Sequence, residues 1–597
     1  MRYIFLIILA TSCFLPLNAQ NTARKDTVLN RELTLEREYN PTIRDAVKIS
    51  QFPELREPQT IKTNVEYSNY EIPYSVKIKL VPLNPESYLT NVNSSKYRGY
   101  LTGGVSSLID IDGDLGYQIL KSEKDKLNIF LSHRSSRSDI AYIQKVSDLV
   151  EDKDNKFKIN DNWGGLNYTH DFSKIKFLLD AKYTYSEFNY YGLSIPYLTN
   201  LPGPVPNNNF DKSINQINQM FEANIGLSSQ KDKDFKYKIN IGYTNFMQYY
   251  GNMPIENGTN ENRILINGDI NKMIFSNVGL GLSGSAKAYS YPDEFRAIND
   301  STTNYFVYSV SPYIKWENYY LNLILGLKMD VELNGLEKIV ASPLVRLNFY
   351  PTEQIMLYLF AEGGRKDNSQ YNLFYENRYI DPLIRVMDSR SPLDATIGIK
   401  FSPISTMSAG IFGGYKITQD EYFLYPNFGY KNHFIKDTPM LAGNWITPVY
   451  EDANTLKAGA NFKYAFQNIF ELSLKGTYYQ WTISKEKYMF NRDIHQAWNK
   501  PSIEVNMNAS YRMPWLPFRF DLSYIGAYGR KAASDSFFST IINMNDIHDL
   551  SFKTTCSFTS NFLAYITLNN LLFTKYDFWY GYPAQGFNIM GGLSILF

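Results

Sequence analysis

From about Arg98 to the last residue, one pattern dominates this chain: apolar and polar residues take turns over long runs. In "SKIKFLLDAKYTYSEFNYYG" (173–192), Ile175, Phe177, Leu179, Ala181, Tyr183 and Tyr185 alternate with Lys176, Asp180, Lys182, Thr184 and Ser186. A two-residue period is that of a β-strand with one apolar and one polar face. The same alternation sets Phe235, Tyr237, Ile239, Ile241 and Tyr243 against Lys236, Lys238, Asn240 and Thr244, and Phe518, Phe520, Leu522 and Tyr524 against Arg519, Asp521 and Ser523. Long helical patterns are absent, so the fold class is all-β. One strand of this kind suits a soluble sandwich and a membrane barrel equally, and the connections between strands decide between them.

Those connections fall into two kinds that take turns. Short ones include 121–126, 171–174, 230–234, 350–354, 402–405, 467–468 and 513–517, and between them lie long segments near 139–160, 193–214, 367–390, 421–450 and 485–500. The long ones far exceed a usual hairpin loop. Short turns on one side and long loops on the other are the habit of outer-membrane barrels. The alternating segments number about 22, an even count that returns the C-terminus to the side where the first strand starts. The expected fold is therefore a transmembrane antiparallel β-barrel of about 22 strands over residues 98–597, with the apolar face of each strand on lipid and the polar face on an aqueous lumen. On that reading Lys176, Lys182, Lys236, Lys238, Lys328 and Lys475 face the lumen, because a lysine on the lipid face near mid-membrane costs about 2–4 kcal/mol.

Composition agrees. Tyrosine occurs 48 times and aromatics make up 16% of the chain, an excess that suits rings resting at lipid headgroups. Formal charge is +1 and mean hydropathy −0.33, which gives no hint of nucleic acid as a partner. Residues 1–20, "MRYIFLIILATSCFLPLNAQ", read as a cleaved export signal, with Arg2, an apolar run and Ala19 near the cut. Ala10, Thr11 and Ser12 make Cys13 a poor lipid-attachment site. With the signal gone Cys556 is the one remaining cysteine, so no internal disulfide forms. The expected location is the cell outer membrane.

Residues 21–97 differ in texture: charged, interrupted by Pro41, Pro53, Pro58 and Pro73, with a short helix-like pattern near Ile43–Ile49 and strand character at Ser75–Val81. They are expected to form a short irregular extension, periplasmic or lumen-entering.

The C-terminal stretch "LNNLLFTKYDFWYGYPAQGFNIMGGLSILF" (568–597) resembles the close of TonB-dependent receptors of Bacteroidetes type. Asn570, Leu571, Tyr576, Tyr582, Pro583, Gly586 and Phe597 carry the likeness. The terminal strand, taken as Gly586–Phe597, places Phe587, Ile589, Leu593, Ile595 and Phe597 on one face and ends on an aromatic, which resembles the signal read by the barrel assembly machinery. "DTVL", Asp26, Thr27, Val28 and Leu29, is similar to the family's short energy-coupling box, and the resemblance implies a TonB-type coupler or periplasmic and lipoprotein partners. The family's larger globular plug has no room in residues 21–97. The wide lumen is then closed by that extension, by inward-folded loops or by a partner.

Candidate chemistry is sparse. Asp110, Asp112 and Asp114 alternate in "DIDGD", but a calcium loop places its glycine and distal glutamate elsewhere, and a hairpin turn at Asp112-Gly113 is the expectation. His133, His170, His433, His495 and His548 show no metal-ligand spacing. No nucleophile, base and orienting group are nominated together, so no catalytic, metal or cofactor-binding residue is expected and the chain is read as a non-enzyme. The aromatic segments 369–385 and 420–437 are read either as recognition surfaces or as a lid of loops packed on one another. The functional expectation is a barrel for solute uptake or binding, or a component of an envelope complex. The alternatives are a channel for hydrophobic compounds with an N-terminal hatch, and a non-transporting barrel that anchors partner proteins.

Overall fold

A computed structural model describes residues 97–597 except 144–155, 193–213, 231–234, 251–256, 293–302, 335–338, 382–385, 428–444, 468, 485–495 and 534–540. The expected export signal, the extension and the "DTVL" box lie outside the described residues.

Twenty-two antiparallel strands form one sheet in sequence order. The sheet closes on itself: the first strand, Gly99–Ser106, pairs with the last, Asn588–Leu596, from Tyr100↔Leu596 to Ser106↔Met590. The amides of Arg98 and Gly99 both donate to the carbonyl of Phe597, at 2.7 and 2.8 Å, locking the terminus into the seam. Closure gives every strand a hydrogen-bonding neighbour on each side, the condition for a sheet to exist in hydrocarbon. At the seam Tyr565 lies flat on bare backbone: a Cβ on Gly104 would come within 2.4 Å of its hydroxyl, and one on Gly592 within 2.2 Å of its ring. The Lys553 ammonium lies over that ring, 4.2 Å from its centroid.

The two faces of the wall separate cleanly along the register. Leu179, Ile225, Ile241 and Ile266 are successive cross-strand partners and make an apolar row whose isoleucines stand exposed. Lys182, Glu222, Thr244 and Arg263 are successive partners on the other face. Exposed isoleucine on a closed barrel is intelligible only if lipid covers it, so the first row faces membrane and the second the lumen. The height fits as well. Ile175 to Tyr185 on the strand Ile175–Asn189 is ten steps, which at about 3.4 Å each and a tilt of about 40° rise about 26 Å, against an apolar band of about 25 Å. Beyond Tyr185 the outer face turns polar, with Glu187 accepting hydrogen bonds from Asn160 and Asn215.

The short-turn end carries Tyr97, Phe597 and the connections near 122–124, 172–174, 318–320 and 405–406; the other end carries the long loops. Three expectations need correcting. Asp112-Gly113 is not a turn: both sit inside the strand Ile111–Lys121, where Gly113 faces Gly103 across the ladder. The chain reverses earlier, because Ser106 Oγ accepts from the amides of Leu108 and Asp110 and donates to Asp110 Oδ2; Asp112 pairs with Arg134. The last strand is shorter than Gly586–Phe597, since Gly586 and Phe587 belong to the preceding loop. The described ends of the segment 421–450, residues 421–427 and 445–450, are strand, and Met407–Asn427 and Trp445–Phe466 are the longest strands of the barrel among the described residues.

Lipid contact makes a direct prediction. Ile241→Arg lowers the stability of the membrane-inserted barrel by about 2–4 kcal/mol, whereas Asn240→Arg, one residue away on the lumen face, lowers it by less than about 1 kcal/mol. Denaturant-driven unfolding from lipid vesicles measures the difference.

Candidate functional site

The mouth at the long-loop end is where the fold stops being a plain cylinder. The hairpin of Met407–Asn427 and Trp445–Phe466 runs past its neighbours, and residues 420–426 are buried on both faces. A bulge between Thr418 and Glu421, with Asp420 at φ 55°, bends the strand there. On one side Tyr422 and Leu424, with Ile446 and Tyr450, pack on Leu373 and Phe374. On the other, Phe423 and Tyr425 pack on Trp481 and Trp498, edge to face at 5.9 and 5.7 Å.

Leu373 and Phe374 belong to the short helix Gln370–Glu376, inside the aromatic segment 369–385. Ser369 caps it by accepting the Asn372 amide, and the Asn377 amide ends it on the Leu373 carbonyl. The next four residues cross the mouth. Arg378 makes a two-pronged ion pair with Asp161, at 3.0 and 2.8 Å, on the fourth strand, Lys156–Asp171. The Tyr190 hydroxyl, just past the fifth strand, donates to the Ile380 carbonyl at 3.0 Å. Ile380 bridges to Ile446 on the sixteenth strand, where the Asp381 amide donates to Ile446 and the Ile446 amide to Tyr379. In a ring of 22 the fifth and sixteenth strands lie half a circuit apart. Residues 378–381 thus tie opposite walls together.

Aromatic rings fill the space around this strut. Tyr379 stacks on Tyr582 at 4.1 Å and 19°, and Tyr191 meets both edge-on at 5.5 and 5.2 Å. Offset stacks and edge contacts are the geometries aromatic rings favour, each contributing about 0.5–1.5 kcal/mol beyond area burial. Burial pushes the Tyr379 hydroxyl up to about 12, so it stays neutral. The described parts of the aromatic segments, 369–381 and 420–427, accordingly pack on one another as a lid at the mouth; 382–385 and 428–437 lie outside the described residues.

The feet of the lid are ionic. Asp367 opens the loop against Arg263, at 3.2 Å, and Lys287, at 3.9 Å; Asp388 closes it against Arg365 Nε at 2.7 Å. Burial opposes charge on Asp367, but Lys287, Arg263 and the Tyr289 hydroxyl outweigh it and hold the carboxyl below its usual range. Burial and the neighbouring Asp367 charge push Asp388 upward, against Arg365. Glu261 accepts from the Tyr291 hydroxyl and from the Gln370 amide, both at 2.9 Å, fixing the start of the helix. Glu376 at its end pairs with Tyr422 and Lys500. Such buried pairs are poor sources of net stability but costly to half-remove, about 3–5 kcal/mol, so they fix one position of the lid.

A second tie lies in the connection after the nineteenth strand, whose described residues are 529–533 and 541–546. Arg530, almost fully buried, donates to the carbonyls of Asp577, Asn545 and Phe578 at 2.7, 3.0 and 2.9 Å, joining this loop to the loop 570–587. Burial drives its guanidinium down to about 10, partly offset by Asp577. The residues that carry the family likeness shape this same region. Asn570, at φ 49°, bonds both amide and carbonyl of Thr574; the Tyr576 hydroxyl reaches Asp549; Tyr582 joins the central stack. Phe597 stacks on Tyr117 at 5.9 Å at the far end, on the outer seam. Asp26, Thr27, Val28 and Leu29 lie outside the described residues. Arg378 sits inside a segment marked by its aromatics, but nothing in the sequence marked Asp161, Glu261 or Arg530.

No family model matches the chain, and no curated protein matches it. Solved structures do, at the level of fold. The ferric enterobactin receptor PfeA from Pseudomonas aeruginosa aligns with TM-score 0.60 at 10% identity over 84% of this chain and 80% of its own. The siderophore receptor PirA from Acinetobacter baumannii gives 0.60 at 10%, over 84% and 80%. The FrpB iron transporter from Neisseria meningitidis gives 0.59 at 10%, over 85% and 82%. The chain shares their barrel and is an outer-membrane β-barrel by fold and by its lipid-facing wall.

Replacing Arg530 by Met leaves three carbonyls, that of Asp577 buried, without this donor and loosens both loops together. Hydrogen exchange in 541–546 and 570–583 is expected to accelerate by about a hundredfold, equivalent to about 2.7 kcal/mol of lost local protection, while the strands keep wild-type rates.

Proposed function

We propose that this barrel takes a solute across the outer membrane and that the lid formed by residues 367–381 and 386–388 is its external gate. The observation that carries this reading is the strut from Asp161 through Arg378 and Ile380 to Ile446. A barrel serving only to anchor partners has no need of a mouth tied wall to wall over a polar lumen. The fold shared with receptors and transporters for iron and siderophores supports uptake. A channel for hydrophobic compounds fits poorly, since it calls for about 14 strands and an apolar lumen, whereas the ring here has 22 and its inner face carries rows such as Lys182, Glu222, Thr244 and Arg263.

On this reading residues 21–97 serve as an extension on the short-turn side, where Tyr97 enters the barrel. Asp26, Thr27, Val28 and Leu29 form the contact for a TonB-type coupler that energises uptake. Phe597 presents the terminal signal to the barrel assembly machinery. The resemblance of the C-terminal stretch supports these assignments.

Planar-bilayer recordings test the gate. The intact protein is expected to stay closed. Removal of residues 369–387, in the presence and absence of residues 21–97, is expected to produce large conductance steps in at least one pairing. If neither the single nor the combined deletion conducts, the loops do not close this lumen and the gating reading is wrong.

A further inference from the structure

We propose that Arg378 is the anion-reading element of the gate, and that a carboxylate- or phosphate-bearing solute opens the mouth by taking the place of Asp161 on its guanidinium. This inference rests on the uptake reading and names the chemistry of what is taken up. The argument begins with a contrast among the contacts of residues 378–381. Ile380 is fully buried, Tyr379 nearly so, and Tyr190 lies 2% exposed, so these contacts are sealed from solvent. The pair at Arg378 is different: its side chain is 30% exposed and that of Asp161 15%.

A wet ion pair holds weakly and exchanges readily, whereas the buried pairs at the feet of the lid do not. Its geometry also matters. The guanidinium offers both terminal nitrogens in a fork that fits a carboxylate or phosphate equally well, and Asp161 now occupies both prongs at 3.0 and 2.8 Å. Ser186 stands beside the same fork, 3.4 Å from Nη1, and donates to Asp161 Oδ1 at 2.5 Å. The Phe188 ring lies below it at 5.7 Å and fixes the plane in which an incoming anion must align.

Asp161 faces the lumen, on the same face as Ile159 and Phe157, which pack in the lid core. Lipid therefore does not reach the site, and the anion arrives dissolved. This wall holds the strut by two contacts, the Asp161 pair and the Tyr190 hydroxyl bond to Ile380, and drawing Arg378 off Asp161 removes the charged, solvent-reachable one. A neutral solute gains nothing from the fork and leaves the tie in place.

The test uses the full chain in detergent, with tricarballylate and inorganic phosphate as probes and glucose as the neutral control, read by isothermal titration calorimetry. Asp161→Asn removes the internal competitor and keeps the fork, so tricarballylate is expected to bind about tenfold tighter than to wild type, or about 1.4 kcal/mol. Arg378→Gln is expected to abolish binding, and Arg378→Lys to restore part of it. Glucose binds none of them. Equal binding by wild type, D161N and R378Q, or binding by none, overturns the proposal. The same variants in planar bilayers keep the two readings apart: binding in this order without any rise in conductance on adding tricarballylate overturns the proposal that the anion opens the gate, and conductance that rises without binding at Arg378 sinks the anion site while the uptake gate stands.

Discussion

Water is absent from the hydrocarbon of a bilayer, and every backbone amide and carbonyl placed there needs a partner from the protein. That constraint dictates closure, and closure dictates the rest of this structure. A sheet of alternating strands cannot cross the membrane with a free edge, so Gly99–Ser106 must find Asn588–Leu596. Once the ring is shut, each strand has one face that lipid must cover and one that it cannot. The row Leu179, Ile225, Ile241 and Ile266 and the row Lys182, Glu222, Thr244 and Arg263 are the two outcomes of one backbone pleat.

A ring of 22 strands is too wide for its own wall residues to fill, and the mouth at the long-loop end is occupied by loops. Two kinds of force hold them. Aromatic packing around Tyr379 and Tyr582 supplies cohesion without direction, while the ion pairs of Asp367, Asp388 and Glu376 and the hydrogen bonds accepted by Glu261 supply position at little net gain in stability. The combination suits an element that has a defined closed place and can leave it, since released charges regain water more easily than released rings do.

The sequence was most legible where the physics is local. Alternation within a strand depends on neighbouring residues alone, so the β class, the strand number, the lumenal lysines and the side on which the long loops lie were all readable. The turn at Ser107–Asp110 was misplaced because Asp112-Gly113 has the stronger turn composition, while the deciding contacts come from Ser106 and from Arg134 on another strand. The hairpin 407–466 reads as loop beyond Asp420 because both of its faces are buried there and the two-residue alternation disappears. Arg378 and Asp161 lie 217 residues apart. Arg530 seeks carbonyls that no side-chain pattern reveals. Such contacts exist only after the ring has closed, and no local pattern records them.

Lipid on one face of each strand and water on the other is the claim on which all else depends. Spin labels placed one at a time from Ile175 to Ser186, in the barrel reconstituted into liposomes, test it through collisions with oxygen, which concentrates in hydrocarbon, and with a water-soluble nickel chelate. Labels at odd positions should respond to oxygen and labels at even positions to nickel, with a period of two. Uniform protection from both reagents along the strand would mean that protein covers each face, and would contradict the account.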